Sequence, residues 1–178
     1  DLGAPGQSDR AGAQATPGRI AMVNVVSPGF LGTLGVSLLR GRSFEATDVE
    51  NSPAVAVVSQ SMVRQFFRDT DPMGRRFSTG VNRSTGEPHW IEVIGVARDS
   101  KYTSLSEADS PVIYLPLSQQ HETGVTLYVR AIGSPGALAP QIRREIQAIE
   151  PGLPVPNPQL MGDTVATSLY APRMGATL

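Results

Sequence analysis

The segment AVAVVS at residues Ala54–Ser59, followed at once by QSMVRQFFR at residues Gln60–Arg68, decides the fold class. The first part is a short run of small and β-branched residues, which is typical of a buried strand. The second part places four apolar side chains on one helical face: Met62, Val63, Phe66 and Phe67. Ser59 lies at the junction, where a serine caps the N-terminus of a helix. The sequence therefore predicts a strand that passes directly into a helix.

Similar patterns on both sides of this unit predict the remaining elements. Strands are expected at Ile20–Val26, Val36–Leu39, Arg75–Thr79, Trp90–Ala97, Pro111–Leu117 and Val125–Ala131, with a proline-interrupted edge strand at Val155–Leu160. Helices are expected after Ser27-Pro28 up to Gly35, at Ser134–Glu150 and at Asp163–Tyr170. The β-α-β order with extra strands in the middle favours an α+β fold.

The segment Ser134–Glu150 carries the clearest helical pattern in the chain. Ser134 is placed to cap the helix, Pro135 to begin it, and Pro151-Gly152 to end it. Its apolar residues repeat with a period of 3.6: Leu138, Ile142, Ile146 and Ile149. We expect this stripe to be buried against the alternating strand Val125–Ala131.

Composition and charge exclude several function classes. The chain has 178 residues, 15 basic against 16 acidic, so its net charge of −1 argues against a general nucleic-acid binder. It has no cysteine, which removes disulfides, thiolate catalysis and cysteine zinc sites. No apolar stretch approaches the roughly 20 residues that a membrane helix needs, and no signal peptide is visible.

Nucleotide chemistry lacks its usual sequence signals. A P-loop requires a glycine-rich loop ending in Lys followed by Ser or Thr, whereas the single lysine, Lys101, precedes Tyr102 and follows no such loop. Gly29, Gly32 and Gly35 do not have the spacing of a dinucleotide fingerprint. We interpret them as glycines that begin and end a helix.

Metal and hydrolase chemistry also lack a constellation. His89 and His121 have no partner at metal-ligand spacing, and the acidic set Asp99, Glu107 and Asp109 matches no calcium loop. Ser59 stands where a nucleophile elbow would be, but its neighbours are not the glycines that the elbow requires. We therefore expect no catalytic, cofactor-binding or metal-binding residues, no cofactor and no enzymatic activity.

Arginine supplies 14 of the 15 basic residues, and some arginines are clustered. Arg75-Arg76 and Arg143-Arg144 are doublets, while Arg40 and Arg42 flank a glycine. Such pairs either recognise an anion or an acidic surface, or simply form a solvated face. The sequence leaves both interpretations open.

An ordered series of short motifs resembles the extracytoplasmic core domain of MacB/FtsX-type ABC transporter permeases, in particular the large duplicated permeases without a fused ATPase. The motifs are Val26–Phe30, Leu34–Val36, Leu38–Phe44, Val55–Ser59, Asp71–Arg76, Val93–Val96, Val112–Leu117 and Leu127–Arg130. The resemblance covers roughly residues 24 to 173. The β-α-β unit with which the family's domain normally begins has no counterpart, so we expect the chain to start inside that domain.

The resemblance implies a domain organisation. A flexible arm would occupy residues 1–19. A porter-like α/β part would combine residues 20–53 and 120–170, with a strand-rich, sabre-like insert at residues 54–119. Residues 171–178 would approach a membrane helix. The two ends of the chain hold the clearest β-α units, which agrees with this outline.

The resemblance also implies a function. The chain would be a non-catalytic periplasmic domain of a bacterial inner-membrane ABC permease that contacts partners or cargo and passes on ATPase-driven movement. Its partners would be a cytoplasmic ATP-binding subunit, reached through the rest of the permease, together with a periplasmic protein or export cargo, or a second permease copy. An independent module that binds a small ligand or peptide is the alternative hypothesis.

Overall fold

A computed structural model describes residues 21–68, 70–81, 86–100, 110–120, 122, 124–155, 157 and 159–161. The predicted arm at residues 1–19, the predicted helix Asp163–Tyr170 and the predicted membrane approach at residues 171–178 lie outside these residues. So do Lys101, Glu107, Asp109 and His121. None of the helices within the described ranges combines the length and apolarity that crossing a bilayer demands.

The chain divides into two compact units. The first comprises Asp1–Ser100 and Ala108–Tyr128, and the second comprises Lys101–Glu107 and Val129–Leu178. The first unit holds the sheet, and the second holds the longest α-helix of the described residues.

The first unit is built on a mixed sheet of six strands. The strands are β1 (Met22–Val26), β2 (Leu38–Gly41), β3 (Val55–Ser59), β4 (Arg76–Val81), β5 (Pro88–Ala97) and β6 (Val112–Pro116). Their order is β1-β6-β3-β5-β2, and β4 also pairs with β5. The β1–β6 and β3–β5 pairs are parallel, and the others are antiparallel. Together with the helices, this confirms the α+β expectation.

The centre of the sheet follows from sequence. Every residue of β3 and of β6 is buried, as a continuous apolar run predicts for a strand covered on both faces. In β5, the predicted alternation places Ile91 and Val93 in the core, while Trp90 remains 42% exposed. Met62, Phe67 and Phe77 complete the hydrophobic core around these strands.

Among the described residues, a 3₁₀ turn at Leu117–Gln119 follows β6, and two further short helical segments accompany the sheet. Helix α1 (Phe30–Leu34) ends at Gly35, whose φ of 72° is the left-handed conformation expected of a C-terminal glycine. The predicted start at Ser27-Pro28 is wrong, because the helix begins after Gly29 and no side chain caps it. Helix α2 (Gln60–Met62) continues as a π-helix at Val63–Phe67, so the predicted helical segment after β3 is confirmed.

The predicted strand Val125–Ala131 is wrong, because residues 124–131 form no helix, strand or turn. Its alternating apolar side chains are exposed, with Val125 at 72% and Leu127 at 64%. A strand requires a neighbouring strand whose backbone groups complete the hydrogen-bond ladder, and no described strand pairs with this segment. The described residues of Val155–Leu160 likewise form no strand.

The predicted helix Ser134–Glu150 exists in a shorter form. A 3₁₀ turn at Pro135–Ala137 precedes helix α3 (Ala139–Ile149), and the Ser134 side chain does not cap it. The predicted burial of its apolar stripe is wrong, because no residue of α3 is buried and Ile149 is 85% exposed. Periodicity shows which face of a helix is apolar, but it does not supply the surface that would cover it.

The structure places β1 and β2, from the predicted porter-like part, in one sheet with strands from the predicted insert. The division into porter-like and sabre-like parts stays a prediction.

Candidate functional site

The chain passes between its two units at three points: after Ser100, before Ala108 and after Tyr128. Within the first unit, a connected set of side chains lies at or beside these points. We name it the crossing cluster: Phe30, Ser59, Ser61, Arg64, Asp99, Ser100, Ser110, Tyr114 and Tyr128. Its members come from β3 and β6, from the residues that follow β5 or precede β6, from the helices α1 and α2 with the π-helix, and, for Tyr128, from the irregular segment at the end of the unit.

Ser59 joins β3 to the helix that follows it. Its Oγ accepts hydrogen bonds from the backbone N–H of Met62 at 3.2 Å and of Val112 at 2.9 Å. The first bond caps α2, which confirms the predicted N-cap role of Ser59. The second ties the beginning of β6 to the end of β3. Because this oxygen already accepts two hydrogen bonds, its own proton is directed to Ser61 Oγ, 3.0 Å away.

Ser61 holds the two ends of the segment that leaves the first unit. Its Oγ lies 2.7 Å from Asp99 Oδ1 and 2.8 Å from the Ser110 carbonyl oxygen, and it donates its single proton between them. The backbone N–H of Ser61 donates to the same Asp99 oxygen at 2.7 Å. Ser61 is buried, so water could not replace these hydrogen bonds if they were lost, and the polar groups would remain without a partner.

Arg64 completes the polar half of the cluster from the exposed side. Its Nη2 donates to Asp99 Oδ2 at 2.9 Å, and the Asp99 side chain is only 10% exposed. Both carboxylate oxygens of Asp99 are thus held by residues that follow β3, although Asp99 itself follows β5.

Three aromatic rings form the other half of the cluster. The Phe30 ring lies 5.7 Å from the Tyr128 ring in an edge-to-face arrangement and 6.4 Å from the Tyr114 ring. The Tyr114 hydroxyl lies 3.2 Å from Ser100 Oγ, which links the rings to the polar half. Tyr128 is the last residue of the first unit, so this ring contact lies directly before the final crossing.

The cluster links separate elements of the first unit. It connects β3, β5, β6 and α1 through hydrogen bonds and ring contacts. Sequence reasoning missed these contacts. In the sequence, Asp99 stands out only as one of a loose set of acidic residues, and its contact with Ser61 spans 38 positions, which no local pattern reveals.

A second electrostatic feature fixes the loop after β2. Arg42 donates to both carboxylate oxygens of Asp48 at 2.8 Å, and the Glu45 backbone N–H donates to the same carboxylate. The hydrogen bonds from Arg42 hold the pKa of the Asp48 carboxyl below its usual value. The Ser118 hydroxyl donates to the Asp48 carbonyl, which ties this loop to the end of β6.

The arginines that the sequence singled out have different surroundings. Arg40 pairs with Asp71 at 2.8 Å on the surface, and this contact lowers the pKa of the Asp71 carboxyl. In the first doublet, Arg75 donates to the Asp71 carbonyl, and Arg76 lies 3.6 Å from Glu92. These four arginines therefore have structural partners: Arg40, Arg42, Arg75 and Arg76.

The remaining sequence candidates stay apart. Gly29 precedes α1 and Gly35 ends it, as predicted, and Gly32 lies inside this five-residue helix. His89 lies on β5. Among the residues that the structure describes, no three His, Cys, Asp or Glu side chains come together as a metal site would require.

Comparison with known proteins gives one family match and several relatives. The model of the MacB-like periplasmic core domain matches residues 4–149. The macrolide export ATP-binding/permease protein MacB 2 of Aeromonas hydrophila subsp. hydrophila is 29% identical over 155 residues, which are 82% of this chain and 24% of that protein. The uncharacterized ABC transporter permease YknZ of Bacillus subtilis is 30% identical over 98 residues, 55% of this chain and 22% of that protein.

A solved structure agrees with the fold. The periplasmic region of MacB from Actinobacillus actinomycetemcomitans superposes with a TM-score of 0.52 at 16% identity, over 84% of this chain and 63% of that one. At this identity the likeness concerns the fold alone. The chain spans less than a quarter of the length of the two permease relatives.

Proposed function

We propose that this chain, which belongs to the MacB-like periplasmic core domain family, transmits movement between partners outside the membrane and the membrane-embedded part of its transporter. The family establishes the coarser statement: the chain is an extracytoplasmic domain of a MacB-like ABC transporter permease of the inner membrane. The resemblance and the localisation expected from sequence are confirmed.

The crossing cluster is the observation that supports transmission. A domain that passes on movement has to hold its connections firmly, because slack in a connection absorbs displacement. Ser61 binds residues on both sides of the 101–107 segment, and Phe30 contacts the last residue before the final crossing. All three crossings are thus attached to the sheet of the first unit, which could then move as one rigid body.

The proposed energy source is a cytoplasmic ATP-binding subunit that acts through the rest of the permease. The Aeromonas relative is by name an ATP-binding/permease protein, whereas this chain has no P-loop sequence. On the outer side, we propose a periplasmic protein, export cargo or a second permease copy as the partner.

The proposed role is non-catalytic. The Ser59 hydroxyl, which stands at the position of a nucleophile, is occupied by two backbone N–H donors and a neighbouring hydroxyl. A catalytic serine needs a general base within hydrogen-bond reach that can take its proton. The hydrogen bonds of Ser59 instead support capping and strand pairing.

A flexible insertion tests transmission. A Gly-Ser-Gly-Ser insert between Tyr128 and Val129, in the full-length permease with its ATP-binding subunit, should leave the fold intact but reduce transport and ATPase stimulation strongly. The same insert between Gly86 and Glu87, in the loop between β4 and β5, is the control because the chain does not pass between units there. Melting curves of both variants must match the unaltered protein for the comparison to count.

Full activity of the Tyr128/Val129 insertion variant would overturn transmission. It would favour the alternative, a module that binds a ligand or peptide without passing on movement. A matched pair of serine variants checks the same point without an insertion. Ser61→Ala in the cluster should impair coupling, whereas Ser78→Ala, a buried serine in the β4–β5 hairpin, should not.

A further inference from the structure

The arginine doublet of α3 differs from Arg40, Arg42 and Arg76 in having no acidic partner among the residues that the structure describes. Arg143 donates from Nη2 to Asn157 Oδ1 at 2.6 Å, an amide oxygen that carries no net charge. Its Nε is buried and has no hydrogen-bond partner. No ion pair joins Arg143 or Arg144 to any described carboxylate, whereas Arg40 and Arg42 each contact one.

A guanidinium with one buried, unpaired N–H calls for an explanation. A buried N–H without an acceptor costs free energy, and native structures contain few of them. The contact with Asn157 fixes the orientation of the Arg143 fork, which lowers the entropic cost of binding a further acceptor. Asn157 thus orients the Arg143 cation, and no carboxylate among the described residues neutralises it.

Both arginines line one shallow, open depression on the second unit. Its other lining residues are Ala139, Pro140, Gln147 and Asn157. The depression combines two guanidinium groups, two amides, a methyl group and a proline ring. A peptide with acidic side chains offers matching groups. Its carboxylates accept hydrogen bonds from the arginine guanidinium groups, its backbone amides can hydrogen-bond to Gln147 and Asn157, and its apolar atoms can pack on Pro140.

We propose that the depression around Arg143 and Arg144 binds an acidic segment of a partner protein. This inference concerns a surface that the crossing cluster does not include, so it stands independently of the proposed transmission. Asn157 holds the Arg143 guanidinium in one orientation, and Arg144 adds a second positive charge to the lining of the depression. The arrangement favours a protein partner over an anionic lipid headgroup. A peptide can contact the two amides and the proline as well as the arginines, whereas a headgroup contacts mainly the arginines through its phosphate.

The test measures binding of a capped, fluorescent hexaglutamate peptide to the full-length permease at low ionic strength. We expect Arg143→Ala and Arg144→Ala each to weaken binding by roughly tenfold, and added salt to weaken it in the unaltered protein. Arg144→Lys should restore only part of the affinity, because lysine keeps the charge but loses the fork. Arg40→Ala, which removes an arginine already paired with Asp71, is the matched control and should change binding less than about twofold.

Three results would overturn the proposal. The first is absence of peptide binding to the unaltered protein. The second is an equal loss of affinity in Arg40→Ala, which would indicate a general charge effect. The third is binding to phosphatidylglycerol vesicles through Arg143 and Arg144 without binding to the peptide, which would assign the surface to a membrane. If Arg143→Ala does not fold, Arg144→Ala, at an exposed position, decides the outcome.

Discussion

The sheet of the first unit and helix α3 of the second have equally clear sequence patterns but opposite surroundings. The residues of β3 and β6 are all buried, and their neighbours on both sides are other strands. The residues of α3 repeat with good helical periodicity, yet none of them is buried. The difference shows that a pattern specifies an element, whereas burial depends on a second element that covers it.

The charged residues show the same difference. In the first unit, Arg42, Arg64 and Arg76 each contact a carboxylate. On α3, the hydrogen bond described for the Arg143 side chain is with the neutral Asn157. These three arginines of the first unit are paired within it, whereas the described residues of the second unit supply no ion pair to Arg143 or Arg144.

The largest expected effect comes from one substitution made in both regions. Ile113→Asp places a carboxylate at a fully buried position of β6 and should cost more than about 4 kcal/mol, enough to prevent folding. Ile146→Asp, on the half-buried stripe of α3, should cost less than about 1 kcal/mol. Urea unfolding of both variants measures the difference. A cost for Ile146→Asp near that of Ile113→Asp would show that α3 is covered after all.

The next effect concerns a glycine in each region. Gly41 has a φ of 73°, and a Cβ there would lie 2.2 Å from the Ile94 carbonyl oxygen. Gly41→Ala should therefore cost at least about 2 kcal/mol through strain and a shift of the β2–β5 pair. Gly136, before α3, has open space around it, so Gly136→Ala should stay within about 0.5 kcal/mol. Thermal melting of the two variants tests this contrast. Equal shifts of the melting temperature in both would contradict it.

Sequence reasoning succeeded where the determinant was local. The run of Val55–Ser59 predicted a buried strand, Ser59 a cap and Gly35 a helix end, and each follows from the chemistry of a few neighbouring residues. It failed at Val125–Ala131, because a strand needs a partner strand, and the position of that partner in the chain is not encoded locally.

The crossing cluster was beyond sequence reasoning for the same physical reason. The contact of Ser61 with Ser110 and the contact of Phe30 with Tyr128 join distant positions. Each residue is unremarkable in its own neighbourhood, and the contacts exist only because the sheet order brings their strands together.

Acid should weaken the first region through Asp48. Because its folded-state pKa is lowered, Asp48 contributes stability above its unfolded pKa of about 3.9, and this contribution disappears as the pH falls through the folded-state value. Asp48→Asn should therefore cost about 1–2 kcal/mol at pH 7 and progressively less below pH 4. Urea unfolding at pH 7, 5 and 3 measures both parts of this expectation.

Glu150→Gln is the control for Asp48→Asn, because it removes a carboxylate next to α3 whose only described contact is a 3.4 Å hydrogen bond from the Gly152 N–H. It should change stability by less than about 0.5 kcal/mol at pH 7. If the two substitutions had the same effect at every pH, the ion pair with Arg42 would not be the source of the acid sensitivity.

The smallest expected effect comes from replacing an arginine by glycine in each region. The change in the free energy of unfolding should have opposite signs in the two regions. Arg68 ends the π-helix with φ 47° and ψ 52°, a left-handed conformation that glycine adopts without steric cost. Arg68→Gly should therefore raise the free energy of unfolding by roughly 0.5 kcal/mol. Arg144→Gly, in the middle of α3, should lower it by about 1 kcal/mol, because glycine is unfavourable inside a helix. Calorimetry on both variants resolves the signs. A loss of stability in Arg68→Gly would mean that the Arg68 side chain contributes more than its backbone conformation costs.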